Sequence, residues 1–358
     1  MRERPSGVSD LHKTGGLALT GVSHDYGRRR AVDNVGFVVA PGEILGLLGP
    51  SGCGKSTTLR LVAGLEDLQT GEVRIGGEVM ADRSTNIPTE RRHVGMVFQD
   101  HALFPHLSVA QNIAFGLGHL PAAERGARIE RWGGRLGLTH LLGTYPHHLS
   151  GGEQQRVALA RAMAPEPRVM LLDEPFSSLD SRLRDQIRDE TVEVLKAAGT
   201  ATLLVTHDPE EAMRMGDRIA IMQAGRIEQI DTPAQVYAAP ATPFVARFLS
   251  ETNELPVQVR GGTVETPFGR LPAPARIAEG SPALLMFRPE ALQERQPGQG
   301  SAAVTVERAT ALGAYRRLEV GVGGRRFAAR LPAGPLPASG SVLHFGLNPD
   351  FCFVFPAA

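Results

Sequence analysis

The octapeptide Gly49-Pro50-Ser51-Gly52-Cys53-Gly54-Lys55-Ser56 constrains this chain more than any other segment. It follows a compact apolar run, Glu43–Leu48, and leads into Lys55–Gly64, which has helical spacing and a glycine stop. Small residues let successive backbone N–H groups curl around one anion, and the first turn of the helix adds its own unpaired donors. The spacing is that of a P-loop. Lys55 is then placed for β- and γ-phosphates, Ser56 for Mg²⁺, and Thr57 for a further phosphate contact. A strand opening into such a loop and helix is an α/β unit.

The rest of residues 17–250 keeps that rhythm. Val94–Phe98, Val169–Leu172 and Thr202–Thr206 read as buried strands of a sheet covered by helices. Pro121–Leu136 and Ser150–Met163 carry helical spacing, the first interrupted by Gly133 and Gly134. Arg218–Met222 and Arg226–Ile230 flank a turn at Ala224–Gly225 and read as paired strands. Pro233, Pro240 and Pro243 divide Thr232–Leu249 into two short helices. Beyond Glu251, brief strand-like runs between Gly/Pro turns read as a small β-rich domain.

Three strand ends carry chemistry. Asp173-Glu174 closes the apolar run Val169–Leu172, where two adjacent carboxylates need a cation, water or protein partner to offset desolvation. Asp173 suits the Mg²⁺ shell, and Glu174 suits a water aimed at the γ-phosphate. Gln99 follows Val94–Phe98 with an amide that both donates and accepts, fit to coordinate and sense a metal–water arrangement. His207 follows the Ala201–Thr206 run and suits a γ-phosphate contact.

Composition narrows the setting. The 38 basic and 38 acidic residues balance, so no nucleic acid partner is expected. Cys53 and Cys352 make neither a disulfide framework nor a metal cluster. Cys53 lies in the phosphate loop and is expected to be accessible without nucleotide and protected with it. Met1–Leu11 lacks the apolar core of a secretory signal, and no run approaches the roughly 20 apolar residues of a membrane span.

Leu149-Ser150-Gly151-Gly152-Glu153-Gln154-Gln155-Arg156 is a second glycine-rich, phosphate-facing segment. With the elements above, it resembles the signature of ABC-transporter nucleotide-binding subunits, especially those of solute importers. The resemblance implies a RecA-like P-loop ATPase core with a helical signature subdomain. Residues 1–16 would be a tail, 17–250 the ATPase domain, and 251–358 a small β-barrel-like domain of TOBE type, suggested by Phe287-Arg288-Pro289-Glu290. It implies a homodimer in which Gly49–Ser56 of one copy holds ATP against Ser150, Gly151 and Gly152 of the other. Tyr26 resembles the adenine-stacking aromatic, Gln99 the Q-loop, Asp173 and Glu174 Walker B, Ser178-Leu179-Asp180 the D-loop, and His207 the switch histidine.

The expected cofactors are ATP and Mg²⁺. The expected partners are integral membrane permease subunits, docked near Asp100–Ser108, and indirectly an extracytoplasmic solute-binding protein. The chain would then sit peripherally on the cytoplasmic face of the inner membrane. Among solutes, Asn86–Leu117 leans toward ferric iron, with polyamine, sulfate or sugar as the alternative. A soluble ATPase of DNA repair or translation is a different class, disfavoured because a single cassette without long coiled-coil insertions is present.

Overall fold

The computed structural model describes residues 15–177, 179–298 and 300–357. Most of the expected tail, and Ser178 of the expected D-loop, lie outside them. The chain divides into two compact units, with residues up to Pro233 in the first and Ala234 onward in the second.

The first unit is built on a six-stranded sheet in the order β10-β9-β3-β8-β7-β6. Its strands are β3 (Ile44–Leu48), β6 (Val94–Val97), β7 (Val169–Asp173), β8 (Ala201–Thr206), β9 (Arg218–Gln223) and β10 (Arg226–Asp231). All neighbours run parallel except β9 and β10. Alternation divides the apolar side chains between the two faces. Leu45, Leu47, Val169, Leu171, Leu203 and Val205 enter one core cluster, whereas Ile44, Met170, Leu172 and Leu204 enter another. Each fully buried aliphatic side chain contributes roughly 1.5–3 kcal/mol. Runs apolar at every position are therefore what a sheet covered on both faces requires.

The first cluster also takes residues from helix α1 (Lys55–Ala63) and from a four-stranded antiparallel sheet. That sheet comprises β1 (Leu17–Tyr26), β2 (Arg29–Val39), β4 (Thr70–Ile75) and β5 (Glu78–Ala81), ordered β2-β1-β4-β5. The second cluster holds the helical subdomain: α2 (Val109–Ala114), α3 (Ala122–Arg135) and α4 (Gly151–Met163). Helix α3 runs unbroken through Gly133 and Gly134, contrary to the interruption expected there. Gly133 is buried with room only for close approach, since a Cβ would lie 3.3 Å from Leu142 Cδ2. Packing there offsets the glycine cost of about 1 kcal/mol.

Helix α1 ends as its sequence demands. Gly64 adopts φ +77° as C-cap, and fully buried Arg92 donates to the carbonyls of Leu61 and Val62 at 2.8 and 3.0 Å. The remaining helices of this unit are α5 (Ser181–Ala198), which packs beside α4, and α6 (Pro209–Met215).

The second unit begins with short helices α7 (Pro233–Ala238) and α8 (Pro243–Leu249), split at the prolines. Two five-stranded sheets follow, forming a near-closed β-barrel-like domain. A single core joins them, with Phe268, Phe287 and Phe327 in mutual ring contact. Arg288, 1% exposed, lies on the Tyr237 ring and donates to the Tyr237 carbonyl at 2.6 Å. Glu290 pairs with Arg330 at 2.8 Å.

Candidate active site

A cleft of about 350 Å³ opens above the end of β3, lined by Tyr26, Arg29, Ala31, Ser51, Gly52, Gly54, Lys55, Ser56, Thr57 and Glu174. Fully buried β3 fixes its floor, and its loop is over-determined by neighbours. A Cβ on Gly49 would stand 2.3 Å from Met222 O, and one on Gly54 would stand 2.2 Å from Ala31 O at φ +111°. Ala224 and Gly225 both take positive φ at the β9–β10 turn. From that turn Gly225 N donates to Cys53 O at 2.9 Å. The hairpin, legible as paired strands, thus braces the phosphate loop.

Lys55 is 4% exposed, and its Nζ donates to Gly49 O at 2.7 Å and Pro50 O at 3.1 Å. Cys53 contributes backbone only, because its side chain is 4% exposed and belongs to the core. Burial also pushes its thiol above the usual range. This overturns the expected nucleotide-dependent exposure of Cys53: slow labelling in both states is the outcome its packing dictates.

Ser56 Oγ donates to Asp173 Oδ1 at 3.2 Å. Burial raises the Asp173 carboxyl, opposed by the Ser56 bond and reinforced by neighbouring Glu174. A cation there would relieve that cost. Among the described residues no cluster of three or more His, Cys, Asp or Glu side chains is placed for a metal. Mg²⁺ does not need one: a hydroxyl and a carboxylate beside a phosphate loop suit an ion that takes few protein oxygens with phosphate and water. The residues present fit it.

Glu174 has φ +45°, a conformation costing of order 1–3 kcal/mol for a non-glycine residue. It is held there by its N–H donating to Val205 O at 2.9 Å and by Ser177 Oγ donating to its carbonyl at 3.0 Å. The strained turn brings Glu174 Oε2 to 2.9 Å from His207 Nδ1. With the carboxylate accepting, Nδ1 donates and Nε2 is left for another group.

Other expected residues are more dispersed. Tyr26 lines the cleft, 43% exposed, with its hydroxyl donating to Glu66 at 2.9 Å. Burial and that carboxylate raise its phenol above the usual value. Gln99 is exposed in the turn after β6 and outside the cleft lining. Ser150, Gly151 and Gly152 are also outside it. Ser150 instead caps α4 in a capping box, with Glu153 accepting from both its N–H and its hydroxyl at 2.7 Å. These donations hold the Glu153 carboxyl below the usual range. Near the expected docking segment, Leu103 packs on the helical core, while Phe104 stacks on Phe115 with ring centroids 4.1 Å apart. Phe115 is 60% exposed.

Sequence reasoning missed Arg29, whose Nη2 donates to Gly52 O at 3.0 Å from within the cleft lining. The signal was the run Arg28-Arg29-Arg30 just after Tyr26. Arg30 is paired with Asp25 and Asp33, whereas Arg29 faces the phosphate loop.

Comparison with known proteins decides the family. The ABC transporter profile matches residues 32–177, and the TOBE domain profile matches residues 285–355. A sulfate/thiosulfate import ATP-binding protein of Mesorhizobium japonicum is 40% identical over 353 residues, covering 96% of this chain and 99% of that one. The chain belongs to the ABC transporter family. As a member it is an ATPase that uses ATP and Mg²⁺. A spermidine/putrescine import ATP-binding protein of Pseudomonas fluorescens is 46% identical over 76% of each chain. An Fe(3+) import ATP-binding protein of Haemophilus influenzae is 42% identical over 76% of this chain and 79% of its own. Among solved structures, the ATP-binding cassette MJ0796, a post-hydrolysis dimer bound to ADP and Pi, superposes with TM-score 0.53 at 31% identity. It covers 61% of this chain and 98% of its own.

Proposed function

We propose that two copies of this ABC ATPase clasp ATP head to tail and that hydrolysis drives a solute importer. The observation that carries this reading is two polar pairs that each place one member in the cleft lining: Ser56 with Asp173, and Glu174 with His207. Lys55, held inside its own loop, turns its donors to the β- and γ-phosphates. Mg²⁺ supplies charge neutralisation on those phosphates, and Ser56, Asp173 and Gln99 are the residues that would hold it. Glu174 orients and polarises a water toward the γ-phosphorus. The new P–O bond forms as the bond to the β-phosphate oxygen breaks, releasing ADP and phosphate. His207 fixes the Glu174 carboxylate through Nδ1 and meets the γ-phosphate through Nε2. Ser150 and the free N–H groups at the start of α4 close the far side from the second copy, as the dimeric form of MJ0796 supports. Departure of the γ-phosphate then loosens the contact.

Glu174→Gln tests the reading. Phosphate release should fall about 100-fold or more with ATP binding retained and the closed dimer accumulating. Unchanged hydrolysis would remove Glu174 from its role.

The importer setting is supported by relatives named for import that cover 76%, 87% and 96% of the chain. Among the described residues no helix is long and apolar enough to cross a membrane. The proposed coupling runs through permease subunits docked near Phe104 and Phe115 on the cytoplasmic face. Ferric iron has no advantage as solute: relatives named for polyamine, iron and sulfate import stand at 46%, 42% and 43% identity. Polyamine, sulfate or sugar is the better-supported group, and uptake by the reconstituted complex separates its members.

A further inference from the structure

The hydrogen bond between Glu174 and His207 joins two loops that leave different strands, so its length depends on what fixes those loops from below. Arg188 on α5 does so. It is 2% exposed, and its guanidinium carbon lies 6.0 Å from the ring centre of Phe176, the fully buried residue two positions after Glu174. Its Nη2 donates to Asp208 Oδ2 at 2.8 Å, and Asp208 follows His207 directly. The same nitrogen reaches Glu211 at 3.3 Å, and Nη1 lies 3.5 Å from Asp185.

Asp208 has both oxygens engaged, because Oδ1 accepts from Glu210 N at 2.9 Å and so caps α6. Its own N–H donates to Thr206 Oγ1 at 3.0 Å, so the backbone around His207 is clasped from both sides. We propose that Arg188 is a positioning residue for ATP hydrolysis, locking the segments that carry Glu174 and His207 at the spacing that pairs them.

This proposal rests on the roles given above to Glu174 and His207. The energetic argument for a geometric role comes from the burial itself. A buried guanidinium is costly to desolvate, and apolar residues often fill such a site at equal or better stability. Here Arg188 Nε and Glu211 Oε1 are left without hydrogen-bond partners. Burial pushes Glu211 up to about 7, which makes the shorter bond to Asp208 the firmer tie near neutral pH. Helix α5 begins immediately after Leu179–Asp180, so one rigid element connects the D-loop region, the Glu174 turn and the His207 loop.

The test uses the purified full chain with steady-state ATP hydrolysis, nucleotide binding and thermal melting. Arg188→Met should lower kcat about 10-fold or more with the KM for ATP changed less than about twofold, and Arg188→Lys should recover part of the loss. Asp208→Asn keeps an equally good helix cap but loses the ion pair, and should lower kcat in the same way. In a His207→Ala background, Arg188→Met should add less than about a twofold loss, because both changes act through one group. Full activity of folded Asp208→Asn, or undiminished multiplication in the His207→Ala background, overturns the proposal. So does a kcat loss that only tracks the unfolded fraction. If Arg188→Met does not fold, Asp208→Asn carries the test. A fully active His207→Ala would instead sink the underlying role of His207, which separates the two failures.

Discussion

Two helices of the first unit begin at glycine-rich segments, and they are built in opposite ways. At Gly49–Ser56 the protein's own fold demands the glycines, since added side-chain carbons would strike the backbone of Met222 and Ala31. At Ser150–Gly152 little in the same chain does. A Cβ on Gly151 would meet only the tip of Leu179 at 3.3 Å, and Glu153 accepts from the N–H of Ser150, the cap residue. One is a finished cradle. The other is a capped helix that leaves space open at exposed Gly151, while Gly152 is buried. The difference teaches that the phosphate loop is fixed by its own chain, whereas Gly151 meets little of it, which fits the proposed dimer.

The comparison can be broken by substitution. The largest effect is expected from Gly151→Trp: turnover should fall at least about 100-fold while the isolated subunit binds nucleotide within about twofold of normal. Equal turnover would show that the surface faces nothing. Gly54→Ala should act within the subunit instead, costing roughly 2–3 kcal/mol in denaturant unfolding and weakening nucleotide binding with it. A stable variant with normal affinity would mean that the cradle is looser than its contacts indicate.

Smaller changes sharpen it. Arg29→Gln should raise the dissociation constants of ATP and ADP about fivefold, less at high salt, and leave adenosine binding unchanged. An equal loss for adenosine would place Arg29 at the base or sugar. The smallest effect is expected from Glu153→Ala, roughly 0.5–1 kcal/mol of stability from the lost cap. Because the Glu153 carboxyl is held low in the folded protein, its contribution is present above the ordinary value of 4.5 and lost as pH falls through the depressed one. Melting of wild type and Glu153→Ala should therefore converge in acid. A difference that persists at low pH would assign the effect to packing.

Legibility followed the strength of the local signal. Lys55–Ala63, ended by Gly64, and the strands at Val94, Val169 and Ala201 lie where apolar runs and glycine stops place them. Helix α5 was not legible, although Ile187, Thr191 and Leu195 recur at helical spacing along its buried side, because its charged residues between them dilute the apolar signal. Of the site, Lys55, Ser56, Asp173, Glu174 and His207 were legible as strand-end and loop chemistry. Arg29 and Arg188 were not, since an arginine's role depends on which carbonyl or carboxylate lies opposite it.

The order of residues alone determined the phosphate loop, the buried strands and the carboxylates that end one of them. Those features follow from contacts within a few positions, from backbone freedom and from side-chain period. Tertiary structure decided the rest: that the thiol of Cys53 turns into the core, that the β9–β10 hairpin braces the loop, and that His207 meets Glu174 across 33 positions of chain. Such pairings depend on how the sheet stacks its strands and which helix lies beneath them, and no local rule of sequence carries that information.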